Sequence, residues 1–289
     1  MLQLENKDLL DDIQSVLDEL QLKVNQEAGF AAKVEKAQTL WKSKGNTEGK
    51  KAFKRVAEEL ADMCVYVNVC NYCEQNEAND IEHVYPKSFF PSHAFNWKNY
   101  ILACKQCNTA YKLDKCFVID TEGDVLEVRR GQAPLYNTVA MINPRTENPL
   151  HYMWLNTQTW KFDIQDNLSK KDFNIADKTL YILQLNERDL LIEDRKNSAT
   201  YYYERMKTLV EILGANSIRD IENALSPYDN EIDKTLPVQV IKEQIKGSFK
   251  AHLNKFKHPS VWYSIKKIES NATPKWKNIF DRIPEALNW

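Results

Sequence analysis

Glycine is scarce, with seven in 289 residues. That is too few for a chain of tight hairpins and bulges, where glycine supplies the turn conformations. No apolar run approaches the ~20 residues needed to cross a bilayer, which excludes a membrane-spanning helix. Met1 to Gln26 is charged and helical in pattern without an apolar core, so no secretory leader is expected there. Charge of one sign is also lacking. Lys and Arg total 39 against 41 Asp and Glu, a formal net charge of −2, which rules out a uniformly basic nucleic-acid coat. Internal repeats and low-complexity linkers are absent, and a cytoplasmic location is expected.

What is present is amphipathic. Leu9, Ile13, Val16, Leu17 and Leu20 predict a helix across residues 4–22. A second helix is predicted from Ala28 to Lys44, stopping at Gly45. A third runs from Glu48 to Met63, with Phe53, Val56, Leu60 and Met63 on one side. From Val65 to Asp120 the pattern changes to short β-rich pieces (Tyr66–Val69, Ile81–Tyr85, Tyr100–Ala103) and a short helix near Lys105–Lys115. Phe117–Asp120 and Val125–Arg129 read as strands around Glu122-Gly123, and Thr159–Phe162 as one more. Helices follow at Ala176–Leu183, from an Asn186 N-cap with Asp189 in the first turn to Gly214, and at Ser217–Leu225, Val238–Phe256 and Ser260–Ser270. The fold class is α+β and mostly helical, with a small module embedded between N-terminal and C-terminal helical segments. The expected divisions are residues 1–64, 65–120 and 121–289, packed as one compact body.

Cysteine is concentrated where glycine is not. Cys70-x-x-Cys73 and Cys104-x-x-Cys107 supply four thiolates, the tetrahedral donor set that Zn²⁺ prefers. A hairpin with one short helix buries too little apolar surface to hold itself rigid, and zinc supplies the missing stability. Four cysteines close the coordination shell, so this zinc is expected to be structural. Cys64 and Cys116 lie outside the pairs and read as buried, inert thiols.

His83 lies on a β-prone run between the knuckles. A neutral imidazole can take a proton from water near neutral pH. Phosphodiester hydrolysis needs such a base and a cation to offset charge on the phosphate. Mg²⁺ or Mn²⁺ takes oxygen ligands and keeps several waters, so one or two protein oxygens suffice. Asn108, beside Cys107, and Glu82, before His83, can supply them. Neighbours on a regular strand point to opposite faces. Glu82 and His83 therefore reach one phosphate only if the strand is irregular, or Asp80 is the ligand instead. Asn99 is expected to bond backbone across the connecting loop and so aim His83; the alternative is an ordinary turn asparagine. Lys87 and Lys112 are candidate phosphate contacts, or solvated lysines. His93, His151, His252 and His258 show no ligand spacing and read as structural or exposed.

At His83, Asn99 and Asn108 the chain resembles the HNH endonucleases, as an HNN variant. Ile81-Glu-His-Val-Tyr-Pro-Lys-Ser88, Phe90-Pro91, Ala94-Phe95-Asn-Trp97-Lys-Asn99-Tyr-Ile-Leu-Ala-Cys104 and Cys107-Asn108-Thr-Ala-Tyr-Lys112 are similar to the PtuB-like HNH nucleases of retron- and Septu-type anti-phage systems. Downstream, Ile142-Asn-Pro-Arg145, Glu147-Asn-Pro149 and Leu183-Gln-Leu-Asn186 also fit. The resemblance implies a zinc-stapled ββα-metal module, His83 activating water, and a divalent ion held by Asn108 and the acidic residue before the histidine. That residue is Glu82, where many members have Asp. It also implies an ATPase partner. DNA is the expected substrate, with RNA as the alternative target. A zinc-stabilised, non-catalytic adaptor is the competing reading.

Charge is unevenly spread. Leu236–Trp289 carries ten Lys/Arg against four Asp/Glu, and Asp120–Thr235 fourteen against twenty. The basic end either tracks phosphates or forms solvated helix faces. Trp262, Tyr263, Trp276, Phe280 and Trp289 make the same end a candidate docking surface, with core packing as the alternative.

Overall fold

The computed structural model describes residues 1–65, 68–113, 115–225 and 232–289. Tyr66 and Val67, half of one predicted strand, lie outside the described residues; Val69 pairs with Glu77 in an isolated bridge. The chain is mostly helical. No helix among the described residues is long and apolar enough to cross a membrane.

Three helices come first: α1 (Asp11–Asn25), α2 (Phe30–Ser43) and α3 (Thr47–Asp62). Ile13, Leu17, Leu20 and Val24 form the buried stripe of α1. The helix starts later than its apolar pattern predicts, because the preceding residues are used elsewhere. Leu4 N–H bonds the Pro144 carbonyl, and the Lys7 carbonyl accepts from Trp97 Nε1 at 2.8 Å. The α2–α3 turn is tight. Lys44 and Gly45 both take positive φ, and a Cβ at Gly49 would fall 1.7 Å from the Lys44 carbonyl oxygen. Asn46 caps α3 by accepting from Gly49 N–H.

The central hairpin pairs β1 (Asp80–His83) antiparallel with β2 (Tyr100–Ala103), in the register Asp80↔Ala103, Ile81↔Leu102, Glu82↔Ile101 and His83↔Tyr100. A π-helix, Gln106–Lys112, follows. β3 (Phe117–Ile119) then pairs with β4 (Val125–Glu127) and β5 (Thr138–Val139). After them come Asn143-Pro-Arg145 and a short helix, α4 (Pro149–Tyr152). Arg145 is 3% exposed. Its guanidinium donates to the Trp97 and Tyr100 carbonyls and to Asn6 Oδ1, and it stacks on Trp97 at 4.0 Å. That one side chain ties the first residues to the base of the hairpin.

Further on, two expectations are corrected. The strand predicted at Thr159–Phe162 forms instead at Phe162–Ile164, because Trp160 takes φ 58 and an extended run cannot pass through a left-handed residue. Asn186 is not an N-cap. Its amide accepts from the Phe162 N–H and donates to the Phe162 carbonyl, pinning that strand. The helix before it, α5, spans Lys170–Leu183, six residues earlier than its apolar pattern suggests, with Ser169 capping through Asp172 N–H.

The chain divides into two compact units in place of the single expected body: 1–154 with 161–189, and 155–160 with 190–289. The second holds α6 (Asp189–Gly214), α7 (Ile218–Ala224) and α8 (Val238–Asn254). Past α8 come shorter helices, including Pro274–Arg282, which the apolar pattern did not reveal. The segment 155–160 belongs here because Arg195 donates to the Trp160 carbonyl and Thr157 to Glu269. Trp262, Trp276 and Phe280 are core residues, 4%, 3% and 4% exposed, packed ring on ring with Tyr202. They offer no docking surface; Tyr263 and Trp289 are half-buried.

Candidate active site

The four knuckle cysteines converge. One sulfur from each of Cys70, Cys73, Cys104 and Cys107 lies within 4.8 Å of the others, and all four residues are buried. Cys104 Sγ accepts from Cys107 N–H at 3.4 Å and lies 3.9 Å from Cys73 Sγ. Hydrogen bonding, first from Cys107 and then from Cys70 and Cys73, holds the Cys104 thiol far below the usual range. Four clustered soft donors with one already favouring the thiolate fit Zn²⁺ and close its shell.

Strand pairing is regular through His83↔Tyr100, so alternate side chains leave opposite faces of the hairpin. Asp80 and Glu82 face the π-helix. Asp80 Oδ2 accepts from Asn108 Nδ2 at 3.1 Å. The Glu82 carboxylate forms an ion pair with the Lys112 ammonium, both side chains being at most 5% exposed. Lys112 also donates to the His83 carbonyl at 2.5 Å. Two residues apart on the strand and four apart on the helix make matching ladders. The helix is π rather than α here: Leu113 N–H reaches back five residues to the Asn108 carbonyl at 2.8 Å. Lys112, a candidate phosphate contact from sequence, is 2% exposed and engaged with Glu82.

These residues fit a hard cation in one respect and obstruct it in another. Asp80, Glu82 and the Asn108 amide oxygen are hard donors in one row. The Lys112 ammonium is the positive charge that Glu82 holds, and a divalent ion at Glu82 would have to replace it.

His83 leaves the other face. Its ring is 4% exposed and packs edge-on against Trp41 at 4.2 Å and Tyr100 at 5.1 Å. Nε2 lies 2.9 Å from the Ala94 carbonyl oxygen, which also accepts from Tyr100 Oη at 2.7 Å. A carbonyl oxygen only accepts, so Nε2 carries the proton and Nδ1 keeps its lone pair. Burial, then Lys87, and more weakly Lys112 and Lys44, hold the imidazole well below its ordinary pKa, against the Ala94 hydrogen bond. The ring is therefore neutral at physiological pH.

Asn99 spans the loop between the strands. Oδ1 accepts from Tyr85 N–H at 2.7 Å, and Nδ2 donates to the Tyr85 and His93 carbonyls at 3.0 and 2.9 Å. His93, beside Ala94, contributes its backbone. The loop so fixed carries the Ala94 carbonyl that orients His83.

Sequence reasoning missed the cover of this face. Trp41 sits on α2, about forty residues from His83 in the chain, and nothing in a helical stripe distinguishes it. Lys44 Nζ lies 3.3 Å above the Trp41 ring and 4.2 Å from that of Phe53. Burial, then Lys87, lowers it from 10.5 to about 7. Lys87, half-buried, lies 5.3 Å over the same Trp41 ring. In the second unit His258, fully buried, meets Asp194 at 3.0 Å beside Lys257, a structural pairing.

Residues 70–112 match the family model described as HNH endonuclease. The match begins at the first knuckle cysteine and ends at Lys112, so it takes in both knuckles, the hairpin and the π-helix. The Septu protein PtuB of Bacillus thuringiensis is 25% identical to the chain over 170 residues, covering 58% of this chain and 54% of that protein. The chain thus spans about half the length of the curated relative it matches. No solved structure gives a match.

Proposed function

We propose that this protein is a metal-dependent endonuclease that hydrolyses phosphodiester bonds in DNA, with His83 as general base. The observation that carries the reading is the state of His83. Nε2–H is committed to the Ala94 carbonyl, so Nδ1 is the free proton acceptor. Burial and three lysines keep the ring neutral, and the same surroundings weaken it as a base for as long as Trp41 covers it. Asn99 acts on that base at a distance, by fixing the loop that carries Ala94. Asn108 and Glu82 would hold a divalent cation, Mg²⁺ or Mn²⁺, with Asp80 as the alternative carboxylate. Bound there, such a cation stabilises charge on the phosphate and the leaving oxygen. Lys87, and Lys112 once released from Glu82, would meet phosphate oxygens. The cysteine cluster would hold structural zinc and take no part in the cleavage.

The likeness to the Septu protein PtuB supports a role as the nuclease of an anti-phage system, working with an ATPase partner in the cytoplasm. His83 lies beneath Trp41, so the isolated chain presents its base only after that indole shifts.

The test is digestion of supercoiled plasmid, single-stranded DNA and tRNA with Mg²⁺ or Mn²⁺, with and without a candidate ATPase partner. Plasmid nicking is expected, with a fall on the order of 10²–10⁴-fold in His83→Ala and unchanged zinc content. Persistent cleavage by the variant would remove His83 from the mechanism. Preferential loss of tRNA would move the substrate to RNA. Nucleic-acid binding without cleavage under every condition would favour the adaptor.

A further inference from the structure

Arg188 lies just before α6 and belongs to none of the motifs above. It is 8% exposed. One terminal nitrogen, Nη1, lies 3.6 Å from Cys107 Sγ. The guanidinium carbon sits 4.8 Å from the centroid of the Tyr111 ring. Nε and Nη2 are buried without a hydrogen-bond partner among the described residues.

A guanidinium stays charged at any physiological pH, and a buried charge is sustained only beside a compensating one. The groups beside Arg188 that can carry compensating negative charge are the Cys107 and Cys73 sulfurs, which would be thiolates with zinc bound. The requirement also runs the other way. Four thiolates around one Zn²⁺ leave a net negative charge in a buried place. Residues that hydrogen-bond the ligands of a metal set their orientation and donor strength. Asn76 Nδ2, 3.8 Å from Cys104 Sγ, and Cys107 N–H, 3.4 Å from it, are neutral donors to the cluster. Arg188 brings a full positive charge.

We propose that Arg188 is the charge partner of a zinc tetrathiolate, donating from its guanidinium to the Cys107 sulfur. The proposal rests on the four cysteines holding zinc. It gives the Leu183-Gln-Leu-Asn186 stretch a physical purpose. Asn186 pins the Phe162 strand, and two residues later Arg188 reaches the metal knuckle. Through Tyr111 it also braces the π-helix that carries Asn108 and Lys112. Arg188 is a positioning residue: it touches a zinc ligand and a helix, and neither His83 nor a reacting atom.

The experiment compares full-length wild type with Arg188→Met, which keeps most of the volume and removes the charge, and Arg188→Lys, which keeps the charge and loses the fork. Zinc content is measured by elemental analysis, and zinc release is followed with a chromogenic chelator at fixed pH. Thermal unfolding is recorded in parallel. Zinc release from Arg188→Met should be about 10–100-fold easier, with Arg188→Lys between it and wild type. Wild-type release from Arg188→Met, with only a lower Tm, would reduce Arg188 to packing and overturn the proposal. If Arg188→Met does not accumulate folded, wild type against Arg188→Lys decides: faster release supports the proposal, equal release overturns it. Wild type purified without zinc, and unable to take it up, would overturn the zinc reading and this proposal with it, while plasmid cleavage would still report separately on the nuclease.

Discussion

The two faces of the β1–β2 hairpin solve opposite problems with adjacent residues. On the His83 face, rings from α2, α3 and β2 surround one imidazole, and Trp41, Phe53 and Tyr100 approach within 4.2–6.3 Å of it or of each other. That face excludes water and keeps the imidazole neutral. On the Glu82 face, carboxylates meet an amide and an ammonium from the π-helix. That face gathers charge and balances it. A regular strand separates the two environments by a single residue step, so a neutral imidazole and a paired carboxylate can be neighbours in sequence without competing for the same proton. The proposed mechanism brings both to one phosphate at the end of the strand, where His83 is the last paired residue.

The comparison can be broken most severely on the charged face. Lys112→Met leaves the Glu82 carboxylate buried without its cation, and should cost about 3–5 kcal/mol in urea unfolding. Adding Glu82→Gln should recover most of it. If the single substitution is silent, the ion pair is not what holds the π-helix to the strand. Next comes the loop that serves the aromatic face. Asn99→Ala orphans three backbone groups and should cost about 2–4 kcal/mol, while cleavage falls and zinc stays. Retained cleavage would detach Asn99 from the aim of His83.

A smaller effect separates the two carboxylates. Glu82→Gln should weaken Mn²⁺ binding by about tenfold or more, roughly 1.4 kcal/mol, and Asp80→Asn by less, measured by calorimetry. The reverse order would give the ligand role to Asp80. The smallest effect is electrostatic and lies on the His83 face. Lys44 falls to about 7 in the folded protein from 10.5. Between those values the unfolded chain binds a proton that the folded chain does not, so stability rises with pH across that window. Below pH 7 both states are protonated and the burden is full. Lys44→Met should therefore raise Tm at pH 6, and the gain should fade towards pH 10. A pH-independent difference would mean that burial of the ammonium is not its source.

How much of this was legible in the sequence depended on whether the signal was local. The knuckle cysteines declare themselves by spacing, and their sulfurs do converge. Tyr100–Ala103 is an unbroken apolar run and is a strand over those four residues. The tension between Glu82 and His83 also followed from strand alternation alone. What failed was non-local. Asn186 has the residue type of a cap, yet its amide is used by a strand 24 residues earlier. Trp262 and Trp276 have the composition of an interface and the burial of a core. Trp41 over His83, Lys112 on Glu82 and Arg188 on Cys107 are pairings between segments about 30 to 80 residues apart. Periodicity carries no information about such partners, because each side chain satisfies its own helix pattern equally well facing anything apolar or charged.

The π-helix makes the hairpin face sensitive to the width of one turn more than to its chemistry. Its wide turn holds one residue more than an α-turn would. Tightening that turn to α geometry with the same residues would swing everything after it by about one residue step, roughly 100° around the axis. Asn108 would still follow its cysteine, but Lys112 would no longer face Glu82. Substitutions at the exposed Thr109 and Ala110 that keep the wide turn should be tolerated, and changes that tighten it should not.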